Sequence, residues 1–297
     1  MEDILTKHYG LQPERSFKDG RAERYMADGS IYTIVNVTNR EQDNLVELYN
    51  ISEHMKKYGD RYVSSFVPTA EGRFLVNEKE QDYTVLKNDP HSRNAEEKIG
   101  RKLAKFHHRG RAIEEKITHT SRIGQWKSLW EKRIEQMEKA YQMVIENHPV
   151  DEFERMFIDS CPYYIGLAEN AVQYLVDTEM DDNPVYTDSG TVCHERFSEG
   201  IWGREITIRN PFDWVFDHGG RDIAEHVRER YFKRQNTHQP DIQQFLRDYQ
   251  SVEPLSSFSW RLIFARLLFP LHYFETVENY YLSESEGQQF HMGEKLH

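Results

Sequence analysis

Alternation of apolar and polar residues over the first ninety positions predicts short strands around a single helix. Runs rich in Tyr, Ile and Val over Glu23–Met26 and Ile31–Val37 flank Asp28-Gly29-Ser30, which is favourable chemistry for a hairpin turn. Apolar residues at helical spacing over Asp43–Tyr58 predict an amphipathic helix that ends at Gly59. Further strands are predicted over Tyr62–Pro68, Arg73–Asn77 and Asp82–Lys87.

The remainder of the chain is predicted to be mainly helical. Asn88-Asp89-Pro90 breaks the strand pattern, and a lobe boundary is predicted there. Ala95–His108 and Trp126–Ile145 carry apolar stripes at helical spacing. Phe153–Val176 predicts another helix, with a kink or break expected at Cys161-Pro162. Later helices are predicted over Ile223–Tyr231, Ile242–Tyr249 and Phe258–Phe269.

Strands first and helices afterwards predict an α+β protein. We expect a β-rich N-terminal lobe over residues 1–88, a helical C-terminal lobe over residues 89–282 and a polar tail over residues 283–297. A chain of 297 residues is long enough to bury a sizeable core in one large or two modest domains.

Charge and hydropathy exclude several classes of function. The net charge of −12 and pI near 5.6 argue against a nucleic-acid partner, because no basic patch dominates. The N-terminal MEDILTKHYG has no apolar leader segment. The most apolar stretch, Leu262–Phe274, is too short to cross a bilayer and is interrupted by Arg266 and Pro270. A soluble protein that stays inside the synthesising cell is therefore expected.

The two cysteines favour a reducing compartment. Cys161 and Cys193 lie in apolar contexts and lack the C-x-x-C spacing of a metal or redox motif. We expect two buried free thiols and neither a disulfide nor a zinc site.

The densest candidate chemistry lies in Thr191–Arg230. An apolar run leads to His194-Glu195, and the alternating Ile206-Thr207-Ile208 is typical of a strand. Acidic residues follow at Asp213 and Asp217, close to a predicted helix start.

The spacing of Asp222 and Glu225 matches a capping box, which would begin the helix at Asp222. We therefore expect both residues to have a structural role.

By order and spacing, this segment resembles the catalytic segment of the aminoglycoside phosphotransferase/choline-kinase-like superfamily. The matching residues are His194, the run Arg221-Asp222-Ile223-Ala224, and Gly100–His107, which resembles a second signature of the superfamily. The run from Asp213 to Ala224 is similar to the spore-coat-associated CotS and YutH group of Bacillus-type bacteria. The resemblance implies a two-lobed, protein-kinase-like fold.

The positions that carry the chemistry in that superfamily do not match. The catalytic Asp of the pattern falls on Arg196, its Asn on Ile201 and its metal-binding Asp on Asn210. Phosphoryl transfer requires metal ions held by oxygen ligands and a group that orients the nucleophile. A guanidinium stays protonated and cannot accept a hydroxyl proton, and a hydrocarbon side chain offers no oxygen. No residue is therefore assigned as catalytic, and no metal or cofactor is expected.

Two features of the N-terminal lobe also indicate that the chemistry of nucleotide binding has been lost. The resemblance implies a strand lysine that reaches the phosphates, yet the run Tyr32–Val37 contains no Lys. Glu47 lies where the superfamily places the helix Glu that pairs with that lysine. Because Glu47 has no evident Lys partner, we expect it to be a solvated surface residue.

The resemblance implies a catalytically degenerate pseudokinase that binds other spore coat proteins. It would be made in the mother cell cytoplasm and deposited on the spore coat. The alternative is an active ATP- and Mg-dependent phosphotransferase in which Asp213 and Asp217 hold the metal, Glu195 serves as base and His194 contributes. A third hypothesis is that the cleft binds a ligand without catalysing a reaction. The oligomeric state is not predicted by the sequence.

Overall fold

The computed structural model describes residues 2–19, 22–91, 98–198, 200–202, 206–233 and 238–282. The helices are α1 (Glu2–Tyr9), α2 (Gln42–Lys57), α3 (Ile99–Arg111), α4 (Trp126–Asn147), α5 (Glu152–Asp181), α6 (Gly220–Lys233), α7 (His238–Gln250), α8 (Ser257–Leu268) and α9 (Leu271–Leu282). The strands are β1 (Arg15–Asp19), β2 (Ala22–Ala27), β3 (Ser30–Asn36), β4 (Ser65–Val67), β5 (Val76–Glu78), β6 (Gln81–Asn88), β7 (Thr191–His194) and β8 (Trp214–Asp217).

The chain divides into two compact units. The first combines Met1–Ser121 with Ser189–Pro254, and the second combines Arg122–Asp188 with the chain from Leu255 onward. The predicted α+β class is confirmed, with a β-sheet N-terminal region and a larger helical C-terminal region. The predicted boundary after residue 88 separates a strand-rich lobe from a helical lobe, which is not the division into these two compact units. It stays a prediction.

An antiparallel sheet forms the N-terminal part of the first unit. Its strand order is β1-β2-β3-β6-β4, and β5 also pairs with β6. The predicted turn between β2 and β3 is confirmed, because Asp28 and Gly29 adopt positive φ angles of 49° and 71°. Successive residues of a strand point to opposite faces, so each face receives its own covering layer. On one face α1 buries Leu5 against Tyr25 and Val85.

The opposite face of the sheet packs against α2. Leu48 contacts Phe66 and Leu86 there, and Phe212 from the segment before β8 packs at the edge of this cluster. The apolar period predicted for the helix is thus confirmed, and Gly59 follows the helix with a φ of 86°.

The rest of the first unit brings β7, β8 and three helices together. Strands β7 and β8 pair antiparallel, with His194 opposite Trp214. Helix α3 approaches both α7 and β7 closely at its glycines. A Cβ atom on Gly100 would lie 2.4 Å from the Phe245 carbonyl oxygen, and one on Gly110 would lie 2.5 Å from the Val192 nitrogen. Only glycine permits this packing of helix against backbone.

The second unit is helical. Helices α4 and α5 pack against each other, and α8 packs on α5 around a core rich in aromatic residues. Trp130 stacks on Phe269 with a ring-centroid distance of 4.8 Å. A kink or a break was predicted at Cys161-Pro162. Helix α5 runs through Pro162, so the break does not occur, and the kink stays a prediction. Pro270 separates α8 from α9, a helix that the sequence analysis did not predict as a separate element.

The structure tests the predictions for the cysteines, for the strand at Ile206-Thr207-Ile208 and for a membrane span. Both cysteines are buried free thiols, as predicted. The strand expected at Ile206-Thr207-Ile208 is wrong, since this part of the chain forms only isolated pairings such as that of Arg209 with Val63. No helix in the described part of the chain is long and apolar enough to span a membrane. The predicted tail over residues 283–297 lies outside the described residues.

Candidate functional site

A buried carboxylate at the start of α6 organises the end of β7. Asp222 Oδ1 accepts a hydrogen bond from the His194 backbone nitrogen at 2.9 Å. Asp222 Oδ2 accepts from His194 Nδ1 at 2.7 Å and from His107 Nε2 at 3.1 Å. Burial alone would raise the pKa of Asp222, but the two histidines outweigh it and hold that pKa well below its usual range.

The hydrogen bonds define the tautomer of His194. The Trp202 indole N–H, which can only donate, lies 3.0 Å from His194 Nε2. His194 Nε2 must therefore accept, and Nδ1 carries the proton that is donated to Asp222. His107 Nδ1 lies 2.8 Å from the Tyr249 hydroxyl while Nε2 faces Asp222. Both ring nitrogens of His194 are thus committed to structural bonds, and neither is free to act as a base.

The capping box predicted at Asp222 and Glu225 is wrong. Helix α6 begins earlier, at Gly220, whose backbone nitrogen donates to His218 Nδ1 at 3.0 Å. The carboxylate of Asp222 is directed at the two histidines, and Glu225 forms an ion pair with Arg228 at 3.0 Å.

The three positions aligned with the chemistry of the superfamily have different surroundings. Arg196 is exposed in the bend after β7, and Ile201 is half-buried in a turn closed by its bond to the Ser198 carbonyl at 3.1 Å. The side-chain oxygen of Asn210 accepts from the Phe212 nitrogen at 3.1 Å and caps a short turn. None of the three supplies a carboxylate.

Arg209 fastens the segment between β7 and β8. This buried guanidinium forms an ion pair with the buried Asp60 and stacks over Trp202 at 4.3 Å from the ring centroid. The Arg209 backbone nitrogen donates to the Tyr62 carbonyl at 2.9 Å. The Arg209 carbonyl accepts from the Ser64 backbone nitrogen at 3.0 Å. Arg209 and Asp60 are 149 residues apart, and no sequence pattern predicted their pairing.

Asp217, predicted as a possible cofactor ligand, is engaged elsewhere. Its Oδ2 lies 3.0 Å from Arg221 Nη1, and its Oδ1 accepts from the His218 nitrogen at 2.8 Å. Arg221 also donates to the carbonyl oxygens of His194 and Glu195, both at 2.9 Å. The Glu195 side chain itself is exposed. This buried ion pair neutralises the negative charge that a metal ion would require.

Asp213 has a different environment. Its carboxylate is half-buried and makes no hydrogen bond to any residue that the structure describes. Burial raises the pKa of Asp213 although the positive charges of Arg24 and Arg40 act to lower it. A carboxylate with a raised pKa beside charged partners is the kind of group found at functional sites.

Cations near Asp213 come from outside β3. Strand β3 consists of Ser30–Asn36, and none of these residues is a lysine. Arg24 of β2 is buried, donates to the Thr33 hydroxyl and lies 3.5 Å from Asp19. Arg40 stacks on Phe212 at 5.1 Å from the ring centroid. A guanidinium therefore lies on β2, next to the strand where the resemblance implies a lysine.

One group of potential metal ligands occurs in the described parts of the chain. Atoms of His107, Cys193 and Asp222 lie within 4.8 Å of one another, and all three residues are buried. Asp222 accepts from His107, however, and burial raises the pKa of Cys193, which keeps its thiol protonated. Magnesium prefers several oxygen ligands, which this group does not offer.

Glu47 contradicts the expectation of a solvated residue. It is buried, and its Oε2 accepts from the backbone nitrogens of Thr118 at 2.7 Å and His119 at 3.1 Å. Its Oε1 accepts from the Thr120 nitrogen at 2.6 Å and the Thr120 hydroxyl at 2.7 Å. Burial would raise the pKa of Glu47, but these donors lower it. The Thr120 carbonyl accepts from Phe216 at 2.9 Å, so Glu47 supports the loop beside β8.

Replacing Glu47 by Ala should lower the free energy of unfolding by about 2 kcal/mol, because several donors lose a charged acceptor. Glu47→Gln, which keeps one acceptor oxygen, should cost less. Urea unfolding followed by circular dichroism measures both. The control is Glu53→Ala on the same helix, where an exposed i,i+3 ion pair with Lys56 is expected to contribute less than about 0.5 kcal/mol. Equal effects of Glu47→Ala and Glu53→Ala would contradict the assigned role.

Comparison with known proteins identifies the family. A family model described as "Spore coat putative kinase YutH" matches residues 2–297. The chain belongs to this family. It is 45% identical over 301 residues to the endospore coat-associated protein YutH of Bacillus subtilis (strain 168), which covers 100% of this chain and 87% of that protein. The resemblance to the spore-coat-associated group is confirmed.

Solved structures share the fold at low identity. An aminoglycoside phosphotransferase from Alicyclobacillus acidocaldarius aligns with a TM-score of 0.72 and 14% identity, covering 99% of this chain and 90% of that chain. A spectinomycin phosphotransferase in complex with ADP and spectinomycin aligns with a TM-score of 0.64 and 12% identity, covering 99% and 92%. The fold is thus aminoglycoside phosphotransferase-like, and identities this low establish the fold alone.

Proposed function

We propose that this protein is a catalytically degenerate pseudokinase that serves as a structural or binding component of the spore coat. The observation that carries the proposal is that the segment after β7 lacks the catalytic and metal-binding acids of the superfamily pattern. Its three chemistry positions hold Arg196, Ile201 and Asn210, and both nitrogens of His194 are committed to Asp222 and Trp202. The coat association of the Bacillus subtilis relative supports the location, with other coat proteins as partners.

The residues do not fit a magnesium–ATP site of the usual kind. Such a site holds metal ions through carboxylate and amide oxygens beside the phosphates. Here Asp217 is neutralised by Arg221, and the Asn210 oxygen caps a turn. Asp213 and the exposed Glu195 are the carboxylates near His194 for which the described residues provide no hydrogen bond. The positions where the superfamily pattern has acids, Arg196 and Asn210, add no further carboxylate.

Asp213 also defines the alternative. Its raised pKa and the neighbouring Arg24 and Arg40 favour a site that could attract a nucleotide phosphate and a cation. An active ATP-dependent phosphotransferase acting on a small molecule or a coat protein, with displaced metal ligands, would depend on this carboxylate.

Nucleotide binding separates the two functions. With millimolar Mg-ATP the pseudokinase should show no binding heat by calorimetry and a shift in Tm below about 1 °C, because a ligand stabilises only the state that it binds. It should also release no ADP. Mg-ATP stabilisation that disappears in Asp213→Asn, together with release of ADP, would favour the enzyme instead. The same stabilisation without release of ADP would favour a cleft that retains a ligand without catalysis.

Deposition on spores supplies an independent readout. A fluorescently tagged Asp213→Asn variant should reach the coat of sporulating cells as efficiently as the unaltered protein if binding alone is required. A loss of deposition in Asp213→Asn, with folding intact by circular dichroism, would contradict a purely structural role.

A further inference from the structure

An apolar pocket lies between α2 and the sheet of the first unit, and it involves none of the residues discussed above except Phe66. Its volume is about 380 Å³, within the range of ligand-binding cavities. The apolar lining residues are Leu45, Val46, Tyr49, Phe66, Phe74 and Leu75. Three of them remain well exposed, with 50% of Val46, 41% of Phe74 and 39% of Leu75 accessible. The aromatic wall is preformed, since the Tyr49 and Phe74 rings lie 5.4 Å apart.

The pocket contains a polar group that lacks a partner. Thr84 of β6 lines the pocket and is 1% exposed, and its hydroxyl has no hydrogen bond in the structure. A buried hydroxyl without a partner is unfavourable, and valine would fill the same space without this cost. The oxygen itself is covered in the structure, so a group that enters the pocket would bind it after the Thr84 side chain turns towards the pocket.

The pocket wall also carries charge. Arg73 is the charged residue among the described lining residues, and its side chain is 77% exposed. The neighbouring Glu71 lies 3.7 Å away and is equally open to solvent. Exposed pairs of this kind are weak, so the guanidinium can bind another anion.

We propose that this pocket binds a tyrosine side chain of a partner protein, with an acidic residue next to that tyrosine. The ring fills the apolar pocket, and its hydroxyl forms a hydrogen bond with Thr84. The acidic neighbour binds Arg73. Tyrosine is favoured at protein interfaces because it combines a large apolar ring with one polar group. The site does not depend on the proposed loss of phosphoryl transfer.

Short peptides test the proposal on the full chain. Acetyl-Glu-Tyr-amide, acetyl-Glu-Phe-amide and acetyl-Lys-Tyr-amide are titrated while the methyl signals of Leu45, Val46 and Leu75 are followed by NMR. The Glu-Tyr peptide should bind about fivefold more tightly than Glu-Phe, the effect of one hydrogen bond. It should also bind more tightly than Lys-Tyr, and Arg73→Gln should remove that second preference.

Thr84→Val tests whether the hydroxyl serves to recognise tyrosine or to stabilise the fold. It should reduce the preference for tyrosine over phenylalanine to within about twofold and raise Tm by about 2–4 °C, because an unpaired hydroxyl is removed. The control is Thr38→Val, which removes a threonine hydroxyl bonded to Asn36 at 2.8 Å and to the Asp82 nitrogen at 2.9 Å. It should lower Tm and leave the preference for tyrosine unchanged.

Several outcomes would overturn the proposal. Equal binding of the Glu-Tyr and Glu-Phe peptides, or no methyl shift with any peptide, excludes tyrosine recognition. A fall in Tm for Thr84→Val shows that the hydroxyl already has a partner. Binding of free p-cresol without binding of any peptide assigns the pocket to a small phenol and excludes a protein partner.

Discussion

Replacing Asp222 by Ala should lower the free energy of unfolding by about 3–5 kcal/mol. The carboxylate accepts three hydrogen bonds, two from His194 and one from His107, and all three side chains are buried. Its removal leaves two histidines and a backbone nitrogen without an acceptor, and water cannot readily replace it. Urea unfolding at neutral pH, followed by circular dichroism, measures the effect.

Two further variants define the origin of that loss. Asp222→Asn keeps one acceptor oxygen but turns an amide N–H₂ towards a donor, so its effect should be intermediate. Asp159→Ala removes an exposed carboxylate and should change stability by less than about 0.5 kcal/mol. A loss below about 1 kcal/mol for Asp222→Ala would show that the network is not a structural centre of the first unit.

His226→Phe should remove a large part of the acid sensitivity of the protein. His226 is buried and stacks on Phe245 with a ring-centroid distance of 3.9 Å. Burial lowers its pKa from 6.5 to about 4, and Arg230 adds to this effect while Glu229 and Asp241 oppose it. Because the folded-state pKa lies below the unfolded value, stability is full above pH 6.5 and is lost as the pH falls towards 4.

The expected size of this loss follows from the shift. It reaches about 3 kcal/mol near pH 4, at about 1.4 kcal/mol for each pKa unit. Denaturant unfolding between pH 7 and pH 4 should show that the free energy of unfolding falls less with pH in His226→Phe than in the unaltered protein. His119→Gln, at an exposed histidine, should leave the pH dependence unchanged. Parallel stability curves for His226→Phe and the unaltered protein would refute the assignment.

Local patterns predicted most of the regular structure. The Asp28-Gly29 turn and the amphipathic period of α2 depend on neighbouring residues, so the sequence contains the relevant information. Ile206–Ile208 shows the limit of such patterns. Alternation permits a strand, but strand formation requires a neighbour with which to pair along its length, and this segment has only isolated pairings.

The candidate site was predictable in residue type but not in contacts. The missing acids at Arg196, Ile201 and Asn210 are visible in the sequence. The pairing of Asp217 with Arg221 was not accessible from helical spacing, because Asp217 ends β8 and Arg221 lies in the first turn of α6.

Contacts between distant parts of the chain could not be predicted in this way. Glu47 bonds to Thr118 across 71 residues, and Arg209 bonds to Asp60 across 149 residues. No periodicity links such positions. Glu47 was therefore expected to be solvated although it is buried.

The Arg209–Asp60 pair limits how this lineage can diverge. Loss of Asp60 alone leaves the Arg209 charge buried without its counterion, which is more damaging than replacing both by apolar residues. Loss of Arg209 alone leaves Asp60 with a second partner, because Arg109 Nη1 lies 3.3 Å from Asp60 Oδ2. Among descendants of this gene, a change at codon 60 should thus be rare unless codon 209 has already changed.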